Sequence, residues 1–245
     1  MKILILTPFR NEEHSIPYYL EALKSLNYPP ELIDVYWLEN DSSDNTLRML
    51  KDAKPEMPFN STTLESINIL GSLKKRPPGE YFKDIGHSLS ARVRARKTTW
   101  PVIWNNHFLP LIRKSHANYV LAWYADVVAP PNTITEYLKV FKSKKDVGWV
   151  GGAIYRRYPR ANELHCPIPR RLASSKQIVK VTYIGHCWMC PRKALAKTKF
   201  YNAEGHDTHM SLINELCKQG LHVYYQPSIF LKHVSTDGKI YRHKI

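Results

Sequence analysis

Lys2-Ile3-Leu4-Ile5-Leu6-Thr7-Pro8-Phe9-Arg10-Asn11-Glu12 and Ile33-Asp34-Val35-Tyr36-Trp37-Leu38-Glu39-Asn40-Asp41-Ser42-Ser43-Asp44 are the two stretches that decide the fold. Each is a short apolar run ending in polar residues, the pattern of a buried strand meeting a loop. Between them Ile16, Tyr19, Leu20, Leu23 and Leu26 recur at helical spacing, with Ser15 placed to cap and Pro17 in the first turn. Asn27-Tyr28-Pro29-Pro30 stops that helix, and Asp41-Ser42-Ser43-Asp44 caps the next, through Thr46, Leu47, Met49 and Leu50. Strand, helix, strand, helix at this spacing predicts an α/β fold with a mostly parallel sheet.

The same reading carries outward. It predicts a strand near Ile67 to Leu70, helical character from Ser88 to Ile112 with an interruption near Pro101, and a buried strand over Tyr119–Tyr124. A helix over Thr133–Phe141 and a strand over Val147–Ile154 follow. Next come a basic Pro-containing loop over Arg156–Arg171 and strand-like sequence over Val179–Met189. A capped helix from about Asp207 to Gln219 and strands Val223–Tyr225 and Ile229–His233 close the chain. There is no repeat, low-complexity tract or linker. One domain over 1–245 is the expectation, with a ligand-binding half to about 130 and a second half over 131–245.

Composition bounds the function. With 245 residues, 43% of them hydrophobic, the chain can bury a full core, which excludes intrinsic disorder. The apolar runs fall short of the roughly 20 residues a membrane span needs, and the opening run is too short for a secretory signal, so a cytoplasmic location is expected. The formal net charge is +15, yet residues 1–50 hold eight acids against four bases. Residues 151–200 hold eleven basic side chains and one acid, Glu163. Such a block suits phosphates, nucleic acid or an anionic membrane surface, and equally a solvated face. Cys187-Trp188-Met189-Cys190 has metal or redox spacing, but no second pair completes a zinc set, and core thiols are the simpler reading.

Four segments carry residue types that chemistry could use. The polar ends of the first two strands offer Thr7, Pro8, Arg10, Glu39 and Asp41, because ligands in open parallel sheets bind at the strands' carboxyl ends. Helix capping accounts equally well for Asp41, Ser42 and Asp44. Asp126, in Tyr124-Ala125-Asp126-Val127, ends an apolar strand where a carboxylate is costly without a cation, a donor or water. A divalent ion bridging phosphates and a turn cap both satisfy it. Asp207, in Glu204-Gly205-His206-Asp207-Thr208, is placed as an N-cap or as a base toward a hydroxyl. His233 ends the last strand and is either structural or a second metal ligand near Asp126.

In this order the segments resemble nucleotide-sugar glycosyltransferases of the GT-A fold, both the large inverting family 2 and the fungal Golgi mannosyltransferases that build mannan. Ile5 to Glu13 is similar to the opening strand and loop of that fold. Tyr28-Pro29-Pro30-Glu31-Leu32-Ile33 through Glu39 to Thr46 is similar to the mannosyltransferase version of its second strand. Ala125-Asp126-Val127, followed by Pro130, resembles the DxD metal-binding region. Asp207-Thr208 resembles the acid pair opening the acceptor-side helix, and His233 the late metal-binding histidine. Two positions depart from the pattern: Tyr124 replaces the first Asp of DxD, and His206 the first acid of the pair.

The resemblance implies a GT-A, Rossmann-like sheet flanked by helices and transfer of a sugar from a nucleotide-diphosphate donor. Thr7, Pro8, Arg10, Glu39, Asp41, Ala125 and Asp126 would line the donor pocket, with Arg92 or Arg96 reaching toward ribose or diphosphate. Asp126 and His233 would hold Mn²⁺ or Mg²⁺, and Asp207 would deprotonate the acceptor hydroxyl. Inversion follows from such a base, while the mannosyltransferase likeness leaves retention open. His206, Trp188, Arg156 and Arg157 would lie on the acceptor side. Arg160, Arg170-Arg171, Arg192-Lys193, Lys197 and Lys199 would approach the same mouth. The acceptor would then be anionic: a glycan or lipid-linked phosphate, with peripheral membrane contact, or a modified nucleic-acid base. With Tyr124 and His206 at two motif positions, a sugar-nucleotide-binding or nucleic-acid-binding protein on the same fold is the non-enzymatic alternative.

Overall fold

In the computed structural model, which describes residues 1–69, 99–154, 177–201 and 209–235 together with Gly238 and Ile240, the opening stretch forms the centre of the sheet. Strand β1 (Ile3–Phe9) is followed by α1 (Ile16–Lys24), β2 (Ile33–Asn40), α2 (Thr46–Ala53) and β3 (Ser61–Ile67). β1 pairs in parallel with β2 from Ile3↔Ile33 to Phe9↔Glu39, and β2 with β3 from Asp34↔Ser61 to Asn40↔Ile67. Five of the seven β1 side chains are fully buried hydrophobics or Thr7 within a continuous apolar stretch, as a strand covered on both faces requires.

Pro8 does not end β1, contrary to expectation. The parallel ladder to β4 (Tyr119–Trp123) stops at Leu6↔Ala122, so Pro8 lies where β1 is paired on one side only. A residue without an N–H is tolerated there. The third strand also lies earlier in the chain than predicted, over Ser61–Ile67, with alternating exposure suited to its place at the sheet edge.

Residues 99–114 are helical through Pro101, where an interruption was expected. The irregularity falls later, as a π-helical turn over Ile103–Phe108 that leads into α3 (Leu109–Lys114). After β4 come β5 (Val127–Val128), α4 (Thr133–Ser143) and β6 (Val147–Ile154). The predicted strand Val179–Met189 is two strands, β7 (Val179–Val181) and β8 (Cys187–Pro191), and His186 between them has a φ of 72°. Two short helices, α5 (Arg192–Leu195) and α6 (Met210–Cys217), precede β9 (His222–His233), one strand where two were expected.

The sheet runs β3-β2-β1-β4-β8-β6-β9-β5, with β7 on β9. Successive strands step away from β1 on one side through β2 to β3, and the next strand, β4, lies on its other side. The order therefore reverses between β1 and β4, and the crevice outside their carboxyl ends is where such sheets bind ligands. Cys187 and Cys190 face the core, and burial pushes both thiols up, as inert packing groups behave. Among the described residues no helix is long and apolar enough to cross a membrane.

Candidate active site at the strand-order reversal

The loops after β1 and β2 are fastened to one another. The Asn11 amide donates to Ser42 Oγ at 3.1 Å, and the Ser43 amide donates back to Asn11 Oδ1 at 2.8 Å. The Glu12 amide reaches Thr46 Oγ1 at 2.7 Å, and the Glu13 amide reaches Asp44 Oδ2 at 3.2 Å. The Glu13 carboxylate in turn accepts from the Asn45 amide at 2.9 Å. Asn11 and Asp41 turn the chain with φ of 54° and 52°, in the left-handed region where Asn and Asp are the least costly non-glycine residues. Burial opposes charge on Asp44, but hydrogen bonds from Thr46 and from the Glu13 amide outweigh it and hold the carboxyl below its usual value.

Glu39 lies buried at the end of β2 and accepts from the Ser42 amide at 2.9 Å and from the Ser66 hydroxyl. Asp41 takes the Ile69 amide at 3.2 Å, so it ties down the chain beyond β3 rather than capping α2. Pro8 and Arg10 are half-buried where β1 gives way to its loop. Thr7 differs from expectation. It is fully buried, and its hydroxyl meets Tyr19 Oη at 2.8 Å, beside the Trp37 indole that donates to the same oxygen at 3.1 Å. Its side chain belongs to the core behind the crevice.

Asp126 and His233 are brought to neighbouring positions on two paired segments. Their juxtaposition comes from the antiparallel pairing of β5 with β9, in which Val127 is opposite His233, and the Val234 amide donates to the Asp126 carbonyl at 2.9 Å. Both side chains are buried, Asp126 at 7% exposure and His233 at 6%, and Ala125 is buried beside them. The His186 ring stands edge-on to His233, with centroids 4.8 Å apart. One carboxylate and one imidazole suit a divalent cation such as Mn²⁺ that takes its remaining ligands from phosphate and water. Among the described residues no three His, Cys, Asp or Glu side chains are grouped as a metal set.

Other expected contacts fall elsewhere. Trp188 is fully buried in β8, stacked on Trp149 at 3.5 Å and on Trp104 at 5.7 Å between ring centroids, because β8 is an interior strand. It is a wall of the core rather than part of an open mouth. Arg192, Lys193, Lys197 and Lys199 are also displaced from the predicted mouth. β8 runs antiparallel to β4, so Cys187 pairs with Trp123 at the crevice end while Pro191 pairs with Tyr119 at the far end, where α5 begins. Arg92, Arg96, Arg156, Arg157, His206 and Asp207 lie outside the described residues. The interloop bracket, His186 and His209 were missed. Asn11 and Asp41 beside strand ends were the available signal for the first, but a lone histidine in sequence carries none for the others.

A family model described as Anp1 matches residues 1–166. The chain belongs to the Anp1 family. Over 161 residues, 64% of its length, this Anp1-family chain is 30% identical to the mannan polymerase II complex anp1 subunit of Schizosaccharomyces pombe and spans 36% of that protein. Over 49 residues, 20% of its length, it is 39% identical to the mannan polymerase II complex ANP1 subunit of Saccharomyces cerevisiae and spans 10% of it. The chain thus covers little more than a third of these relatives at most.

Among solved structures, it is similar to the mannosyltransferase PcManGT of Pyrobaculum calidifontis in complex with GDP-Man and Mn²⁺. That match has 15% identity and a TM-score of 0.57, over 97% of this chain and 58% of that one. It is also similar to S. aureus TarS 1–349 in complex with UDP, at 12% identity and a TM-score of 0.56, over 92% and 60%. At these identities the likeness is one of fold. The Anp1-family chain has the GT-A glycosyltransferase fold.

Proposed function

We propose that the chain is the catalytic part of a metal-dependent glycosyltransferase that moves a sugar, mannose first among candidates, from a nucleoside-diphosphate donor to a glycan hydroxyl. The observation carrying this reading is that the pairing of β5 with β9 sets the buried Asp126 and His233 at neighbouring positions just past the carboxyl end of β4, beside the strand-order reversal. The bracketed β1 and β2 loops border the same crevice, with the half-buried Arg10 proposed to reach the nucleoside and Glu39, bonded to Ser42 and Ser66, shaping the loop beneath it. The GDP-Man and Mn²⁺ of the archaeal neighbour, and the mannan polymerase subunits among the relatives, favour a guanosine-linked mannose.

Mn²⁺ or Mg²⁺ held by Asp126, His233 and the donor's diphosphate would offset the charge on the departing nucleoside diphosphate. Asp207 is the proposed base. Its carboxylate takes the acceptor proton as the hydroxyl attacks the anomeric carbon, an inverting displacement. The acceptor is proposed to be a glycan hydroxyl; Arg192, Lys193, Lys197 and Lys199 follow a strand that runs toward the opposite end of the sheet and are given no part in binding it.

Thermal denaturation with GDP-mannose, with and without Mn²⁺, tests the reading. The expected result is stabilisation that needs both components, because a ligand stabilises the state it binds, with slow Mn²⁺-dependent release of GDP. Equal melting in all four conditions, with no nucleoside diphosphate released from any of a panel of nucleotide sugars, would overturn it.

A further inference from the structure

His209, immediately before α6, is fully buried and surrounded by aromatic rings. Trp149, Trp188, Trp104 and Phe200 form a stacked column, with successive interplanar angles of 17°, 16° and 5°. The His209 ring stands edge-on to all four, at centroid distances of 6.0, 5.9, 5.9 and 6.3 Å. Trp100 adds a further edge contact at 5.2 Å. These rings come from β6, β8, the helical residues 99–108 and the segment after α5, so they form a rigid seat assembled from distant parts of the chain.

Among the described residues a polar tether crosses from this seat to the crevice. The Tyr124 hydroxyl lies 3.0 Å from the His209 imidazole nitrogens, Nδ1 and Nε2 alike. Tyr124 is two residues before Asp126, and its own amide donates to the His186 carbonyl at 2.9 Å. Its ring leans on Trp100 at 5.5 Å and 33°. The bond therefore joins the loop that carries Asp126 to His209, two residues after Asp207 in the sequence and immediately before α6.

We infer that Tyr124 is a positioning residue whose hydroxyl, through His209, fixes the start of α6 to the Asp126 loop and so holds the donor and acceptor sides in register. This rests on the transferase reading above, because register between the two sides matters only if a group passes between them. A carboxylate at position 124 would add a metal ligand, whereas tyrosine adds a bond reaching the acceptor side. A small misplacement of reacting groups costs rate without costing donor affinity.

The full-length Tyr124→Phe variant keeps the ring contacts and loses the hydroxyl. With GDP-mannose and Mn²⁺, kcat is expected to fall about tenfold, the effect of losing roughly one net hydrogen bond, while the donor KM stays within about twofold. Amide hydrogen exchange over residues 209–217 is expected to quicken several-fold. Addition of His209→Asn to Tyr124→Phe should then cost less than the two single effects combined.

Wild-type kcat and exchange in Tyr124→Phe would overturn the inference. So would a rise in KM that accounts for the whole loss of kcat/KM, which would place Tyr124 in the donor pocket. If the wild-type chain turns over no donor, the transferase reading fails separately. Exchange then decides the tether: faster exchange over 209–217 sustains it, and unchanged exchange ends it.

Discussion

At the scale of single residues, burial separates groups that read alike in the sequence. Asp126 and Asp41 are both acids at strand ends, but Asp41 is spent on the Ile69 amide, while Asp126 is buried one residue from the strand position paired with His233. Asp126→Asn should abolish the Mn²⁺-dependent part of the stabilisation by GDP-mannose, which for wild type reaches about 2.7 kcal/mol at a hundredfold excess over Kd; paired thermal melts check this. Trp188 and Tyr124 are both aromatics of the predicted ligand region, yet Trp188 is part of the core stack. Trp188→Ala should therefore destabilise the fold by about 3–5 kcal/mol in urea unfolding, rather than change acceptor KM in a folded enzyme. Sequence gave the alternation and the side-chain chemistry, but whether a tryptophan faces inward or outward depends on the neighbours its strand acquires. β8 acquired β4 and β6.

The elements show how loops become a site. The bracket between the β1 and β2 loops makes one unit of two segments roughly thirty residues apart in sequence, and Asp44 sits in its centre. The lowered carboxyl of Asp44 has a definite sign in stability. Its contribution is present above the unfolded carboxylate value, about 4, and is lost as pH falls through the lower folded value. In urea denaturation the gap between wild type and Asp44→Asn should be widest near neutral pH and should close toward pH 2. β9 runs as one strand through Pro227 because its pairing with β6 shifts register between Gly151 and Ala153. There a Cβ on Gly152 would sit 2.5 Å from the Ile229 carbonyl oxygen. A backbone atom cannot yield cheaply, so Gly152→Ala should cost about 1–3 kcal/mol in equilibrium unfolding. It should also weaken Mn²⁺ response, since the same strand delivers His233. A proline weighs against a continuous strand, and the irregular register is what accommodates Pro227 where two strands were expected.

Across the whole molecule, the decisive fact is which end of the sheet each loop reaches. The basic block of residues 151–200 reads as one feature in sequence, but Arg192, Lys193, Lys197 and Lys199 follow a strand that runs away from the crevice. Replacing Lys193, Lys197 and Lys199 together by Glu should leave GDP-mannose KM and transfer to a neutral glycan within about twofold, because these charges follow the far end of β8 and salt screens exposed charges over about 8 Å at physiological ionic strength. Steady-state kinetics at physiological ionic strength check this.

The sequence by itself determined the parallel β/α alternation, the order of strands and loops that resembles the GT-A fold, and the acid and imidazole worth watching. These are properties of local periodicity and of side-chain chemistry, which each segment carries with it. The tertiary structure decided that Asp126 and His233 come to neighbouring positions, that Thr7 and Trp188 face the core, that Arg192 and Lys193 follow the end of β8 away from the crevice, and that Tyr124 reaches His209. Each depends on strand direction and pairing partner, set by how the whole chain buries its apolar faces, so no single segment holds the information.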